Sequence, residues 1–140
     1  MKENNRIKIR KTLAVFFICV QLYLIYAVLL NYWAEKKVDY LMREVFKKQE
    51  LILQSSTAEL LEKLRRKSKR DPRVWELSAH YSLNKMVTVP TNKERYYWAK
   101  EALDQSTQAV RWAPTVKRFQ TLRGRCQNWE KIFASTGVGY

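Results

Sequence analysis

The sequence predicts an all-α protein: one N-terminal transmembrane helix that continues into an amphipathic helix, followed by a small domain of helical hairpins. Three observations predict it. Between Lys11 and Glu35 there is not one charged residue. Beyond that run, apolar residues recur three and four apart, the spacing of one helix face. No segment shows the sustained polar/apolar alternation of a half-buried strand.

Residues 1–11 form a short basic tail carrying Lys2, Arg6, Lys8, Arg10 and Lys11. Residues 12–34 read TLAVFFICVQLYLIYAVLLNYWA. At about 1.5 Å per residue they make a helix of roughly 34 Å, enough for a hydrocarbon core of about 30 Å. Tyr32 and Trp33 close the run, where amphipathic rings prefer the membrane interface. The run is longer than the apolar core of a signal peptide, and no small-x-small cleavage site follows it, so an uncleaved anchor is expected. Gln21 is a polar amide well inside the span. It suggests packing against other transmembrane helices, with Tyr23 and Tyr26 beside it, through a hydrogen bond worth about 1 kcal/mol.

Residues 35–70 form an amphipathic and basic connector. Val38, Leu41, Met42, Val45 and Phe46 make an apolar stripe. No glycine or proline interrupts the chain there, so one helix is expected to run from the span to about Gln54, as a lever that sets the domain's distance from the membrane. Ser56 and Glu59 offer a capping box for a new helix, with Leu60, Leu61 and Leu64 on its apolar face. That helix should stop before Asp71 and Pro72. It ends in a basic run of Lys63, Arg65, Arg66, Lys67, Lys69, Arg70 and Arg73, suited to an anionic partner such as lipid headgroups.

Residues 71–134 are expected to fold as hairpins. One helix covers about residues 73–86, with Val74, Leu77 and Tyr81 inward. A second capping box, Thr91 with Glu94, opens the next, which runs to Trp112. Pro114 breaks the chain, and Thr115 is the expected cap of a last helix. Residues 135–140 are a glycine-containing tail.

The spacing of Val74, Leu77, Ser78 and Tyr81, then Ala102, Ala109 and Pro114, with Phe119 and Leu122 restarting the pattern, resembles the tetratricopeptide repeat (TPR). In that family, small residues let two antiparallel helices approach closely and a proline ends the pair. Ser106 stands where the family prefers an aromatic, Arg123 stands where a small residue is usual, and the connection between the two helices is about a dozen residues longer than the family's. The resemblance implies protein–protein scaffolding and no catalysis.

The residues themselves offer little chemistry. There is one histidine, His80, and no cysteine pair at metal-ligand spacing. Cys19 lies in the span and Cys126 at an apolar position of the last helix, so they cannot pair. With three glycines in all, there is no phosphate-cradling loop. The reading is a non-enzyme, with no cofactor, no metal, no small-molecule substrate and no nucleic acid.

The charge balance is extreme, 27 lysines and arginines against 13 acids for a net +14. Such a surface favours acidic neighbours or anionic lipid. The aromatic content, five tryptophans and eight tyrosines, exceeds what a small helical core holds, and Tyr96, Tyr97 and Trp98 are the expected interface aromatics. The expected function is an accessory or scaffold subunit of a larger membrane complex, a hetero-oligomer with other membrane proteins. A transient membrane-tethered adaptor or assembly factor and an anionic-lipid-binding module are the alternatives. Basic residues flank the span almost evenly. The short N-terminal tail favours a bacterial inner-membrane protein with its domain in the periplasm, with the mitochondrial inner membrane as alternative.

Overall fold

A computed structural model describes residues 2–45 and 54–136. Among them there is no strand, and five α-helices follow one another: α1 (Lys2–Tyr40), α2 (Ser55–Lys67), α3 (Pro72–Thr88), α4 (Asn92–Trp112) and α5 (Lys117–Ser135). The chain divides into two compact units, Met1–Lys36 and Lys37–Tyr140.

The first unit is most of α1. Its helix begins at Lys2 rather than at Thr12, because the basic tail contains no glycine or proline and lysine, arginine and glutamate are good helix formers. Large apolar and aromatic side chains from Leu13 to Tyr32 stand exposed all round it, Phe17 at 66% and Val28 at 66%. Leaving such a side chain in water instead of burying it costs roughly 1.5 kcal/mol or more. Summed over the helix, that exceeds the 5–15 kcal/mol by which a folded domain is typically stable. The helix is long and apolar enough to cross a membrane.

The second unit starts with the end of α1. At Leu41 the helix widens into a π-helical turn, Leu41–Val45. Val38 and Leu41 are fully buried and Met42 is half-buried. Phe46 and the expected continuation to Gln54 lie outside the described residues, except that Gln54 itself is extended and precedes α2. The expected Ser56–Glu59 capping box does not form. The helix has already begun at Ser55, so Ser56 sits within its first turn, and no side chain caps it. Thr57, Leu61 and Leu64 form its buried face.

Asp71 caps α3 by accepting a 2.9 Å hydrogen bond from the Arg73 N–H, and Pro72 occupies the first turn, where its missing N–H costs nothing. The connection to α4 is three residues long, 89–91. The long connection expected from the repeat-like pattern is therefore not there: the added residues are helical, α3 running on to Thr88 and α4 starting at Asn92. Both halves of the Thr91–Glu94 capping box are present. Helices α3 and α4 meet through small residues: Ser78, Ala79 and Ser82 on one side, Ala99, Ala102, Ser106 and Ala109 on the other, all buried. Side chains of that size let helix axes approach to the short end of the usual 8–10 Å. Helix α5 closes the stack with Phe119, Leu122 and Cys126 inward, and Leu122 and Cys126 join Ala79 and Ala102 in one cluster. Thr115 does not cap α5. The residue at the cap position is Val116, without a side-chain hydrogen bond.

Candidate functional site

The most built-up site lies where α2, α3 and α4 meet. A cleft of about 230 Å³ opens between Leu61 and Arg65 of α2, Tyr81 of α3, and Tyr97, Trp98 and Glu101 of α4. Its aromatic wall is ordered edge to face. The Tyr81 and Trp98 rings stand 6.2 Å apart at 78°, and Tyr97 and Trp98 stand 5.3 Å apart at 81°. These are the favourable arrangements for aromatic quadrupoles. Burial raises the Tyr81 pKa, so its phenol stays protonated and available as a donor. Tyr97 is 60% exposed and forms the outer rim, while Tyr96 is half-buried.

A polar chain runs across the floor. The Ser82 hydroxyl donates to Gln105 Oε1 at 2.8 Å, and Gln105 Nε2 donates to Glu101 Oε1 at 2.9 Å. Glu101 Oε1 lies 3.8 Å from the Arg65 guanidinium, which also pairs with Glu62. A hydrogen bond from Arg66, then the Arg65 charge, hold the Glu62 pKa down. Arg65 Nε is buried and donates to nothing. The cleft therefore combines an apolar, aromatic wall with a hydrogen-bonded polar floor, and Arg65 is among its lining residues.

On the opposite side, Glu76 and His80 of α3 face Arg118, Thr121 and Arg125 of α5 around a more open hollow of about 320 Å³. Glu76 is buried, with Arg118 Nη2 at 3.2 Å from its Oε2. Burial raises its pKa despite that arginine. Burial, and then the charge of Arg125, lower the His80 pKa. Burial also raises the Cys126 thiol, against a smaller opposing hydrogen bond from Ser106. Cys126 is therefore a protonated core residue. Among the described residues no group of three potential metal ligands stands together, and Cys19 and Cys126 are both free thiols.

The sequence-predicted residues separate into groups. Val74, Leu77, Ser78, Ala102, Ala109, Phe119 and Leu122 are buried together in the hairpin stack. Tyr81 is half-buried at the cleft, and Pro114 is exposed in the turn after α4. Gln21, Tyr23 and Tyr26 are exposed on the apolar helix. The basic run divides. Arg65, Arg66 and Arg73 hold internal ion pairs with Glu62, Glu101, Asp71 and Asp39, whereas Lys63, Lys69 and Arg70 point outward. Lys67 is also exposed.

Sequence reasoning missed Gln105, Ser82 and Glu101 as site residues. The available signal was that 102, 105, 106 and 109 share one face of α4, which places a glutamine among alanines on the packing side. Trp112, which the adjacent Arg111 marks in the sequence as an interface-type aromatic, has its ring centroid 5.8 Å from both the Arg70 and the Arg111 guanidinium carbons. When the chain is compared with known protein families, with curated proteins and with solved structures, nothing matches in any of the three.

Proposed function

We propose that this chain is a non-catalytic scaffold subunit of a membrane protein complex, anchored by α1 and docking a partner's extramembrane part in the cleft between α2, α3 and α4. The observation that carries the reading is the pairing of an apolar helix exposed on every side with a preformed aromatic cleft lined by α2, α3 and α4. The close packing of α3 on α4 through small residues, with α5 stacked beyond, supports the TPR-like reading and its implication of protein binding. Gln21 gives the span a polar group to satisfy against a neighbouring helix, since lipid offers none. In this proposal the chain is an inner-membrane protein, bacterial with the domain in the periplasm, or mitochondrial.

Purification from its native membrane in mild detergent tests the proposal. The expected result is co-migration with partner subunits at a fixed ratio near one to one, weakened by Tyr97→Ser in the cleft rim and by Gln21→Leu in the span. A monodisperse monomer with no partner would refute it. A sub-stoichiometric ratio would instead identify a transient assembly factor.

A further inference from the structure

The end of the domain where α2 stops and α3 begins gathers surplus positive charge on a fixed frame. The turn between the two helices is tied by its own backbone, with Ser68 N–H donating to Leu64 O at 2.7 Å and Asp71 N–H to Ser68 O at 3.0 Å. The Trp75 indole donates to Lys69 O at 2.8 Å. From that frame Arg70 reaches over Trp112 at the end of α4, and Arg111 flanks the same ring. The nearby carboxylates are already engaged: Asp39 and Asp71 by Arg73, Glu62 by Arg65 and Arg66, Glu76 by Arg118. Among the described residues Lys69, Arg70 and Arg111 stand outside every ion pair, and all three are exposed.

This end is also linked to the end of the apolar run through an ion pair to the last turns of α1, where Val38 and Leu41 are fully buried. Arg73 lies 3.8 Å from Asp39, and Asp39 is five residues beyond Ala34, the last residue of the apolar run. Five residues span at most about 18 Å even when fully extended. We infer that the surface formed by Lys69, Arg70, Arg111 and Trp112 rests on anionic phospholipid headgroups, the basic side chains meeting phosphate and the indole lying at the interface. Charge complementarity and that link select this occupant. Anionic lipid attracts juxtamembrane basic residues within about one Debye length, and tryptophan concentrates at the same depth. The inference rests on α1 spanning a bilayer.

The test uses the full chain in nanodiscs of phosphatidylcholine alone or of phosphatidylcholine with phosphatidylglycerol, read by amide hydrogen exchange. The expected result is exchange over residues 68–71 and 110–113 slowed at least about threefold in the anionic discs, with the difference abolished near 0.5 M salt. The slowing should vanish in Lys69→Gln/Arg70→Gln/Arg111→Gln. It should persist in Lys93→Gln/Lys131→Gln, which changes exposed lysines toward the other ends of α4 and α5. Equal exchange in the two discs, or slowing that survives the triple substitution, would overturn the inference and leave the spanning helix intact. Slowing by added polyglutamate but not by anionic lipid would overturn it in favour of an acidic protein partner. A chain that fails to enter the discs at all would overturn the spanning reading, and the headgroup contact with it.

Discussion

The hydrogen bond between Ser82 and Gln105 joins α3 to α4 in the buried floor of the cleft, and removing it should give an asymmetric pair of effects. Ser82 is fully buried and Gln105 is 5% exposed. Ser82→Ala deletes the donor with almost no change in volume, so the cavity contribution is small. The loss is a net bond of about 0.5–1.5 kcal/mol together with part of the 1–3 kcal/mol for a buried acceptor left unmet. The expected cost is about 2 kcal/mol. Gln105→Met should cost less, about 1 kcal/mol, because the freed Ser82 hydroxyl can turn back to the carbonyl four residues earlier, as Ser78 already does to Val74 O at 2.9 Å. In Ser82→Ala/Gln105→Met neither polar partner remains, so the double variant should be roughly 1 kcal/mol more stable than the sum of the singles predicts. The assay is urea unfolding of the full chain in detergent micelles, followed by near-ultraviolet dichroism of the Tyr81–Tyr97–Trp98 cluster. Additivity within about 0.5 kcal/mol would refute the claim that these two side chains stabilise each other.

Ala102→Leu places a larger side chain where Ala79, Leu122 and Cys126 already close the core, and thermal unfolding should show a loss of about 1–3 kcal/mol. Asp71→Ala removes the α3 cap and one of Arg73's two carboxylates. It should cost about 0.5–2 kcal/mol in urea unfolding, at the upper end if the Arg73–Asp39 contact loosens with it. Glu76 makes stability depend on pH in a direction opposite to most carboxylates. Burial raises its folded pKa above the ordinary 4.5, so the folded chain holds its proton more tightly than the unfolded one. Its contribution is full below pH 4.5 and is lost as pH rises through the folded value. Glu76→Gln should therefore flatten the decline in urea midpoint between pH 4.5 and 7, and a wild-type midpoint that rises more steeply than the variant's over that range would refute the sign.

The parts of this fold that were legible in the sequence are those whose cause is local. The apolar run 12–34 is one, and the small-residue faces of α3 and α4 are another. So is the Thr91–Glu94 box, where Glu94 N–H donates to Thr91 Oγ1 at 3.2 Å and Thr91 N–H to Glu94 Oε2 at 3.3 Å. The same local rule misled at Ser56–Glu59. A hydroxyl three residues ahead of a carboxylate also occurs inside a helix, and only the extended backbone at Gln54 fixes where that helix begins. Thr115 failed for a similar reason, with the chain turning one residue later at Val116. The cleft was not legible because it is assembled from distant parts of the chain. Arg65 meets Glu101 across two helix boundaries, and Arg70 meets Trp112 only because antiparallel packing brings the end of α4 beside the start of α3. The basic run was visible as charge. Its division into internally paired arginines and outward cations depends on where Glu62, Asp39 and Asp71 fall in space.

That division bears on how a single anchor can hold a domain in a defined pose. A lone helix in lipid is free to turn about its own axis, and a cleft on the attached domain would sweep with it. A second contact at the headgroup level removes that freedom. It need not be strong. The domain is covalently attached to α1, whose last turns bury Val38 and Leu41, so its effective concentration at the bilayer surface is on the order of millimolar or above, and a contact too weak to recruit a free protein still holds the pose. Exposed ion pairs are worth only about 0–1 kcal/mol each, so Arg66 can exchange Glu62 for a phosphate at little cost. Arg73, clamped between Asp71 and Asp39, is positioned instead to hold the domain to its stem. On this view the three arginines at 66, 70 and 73 divide the work by their partners: Arg70 faces the lipid with Trp112, Arg66 is exchangeable, and Arg73 stays inside. Replacing Arg73 should therefore loosen the domain even in detergent, where no anionic surface exists, whereas replacing Arg70 should matter only on a charged bilayer.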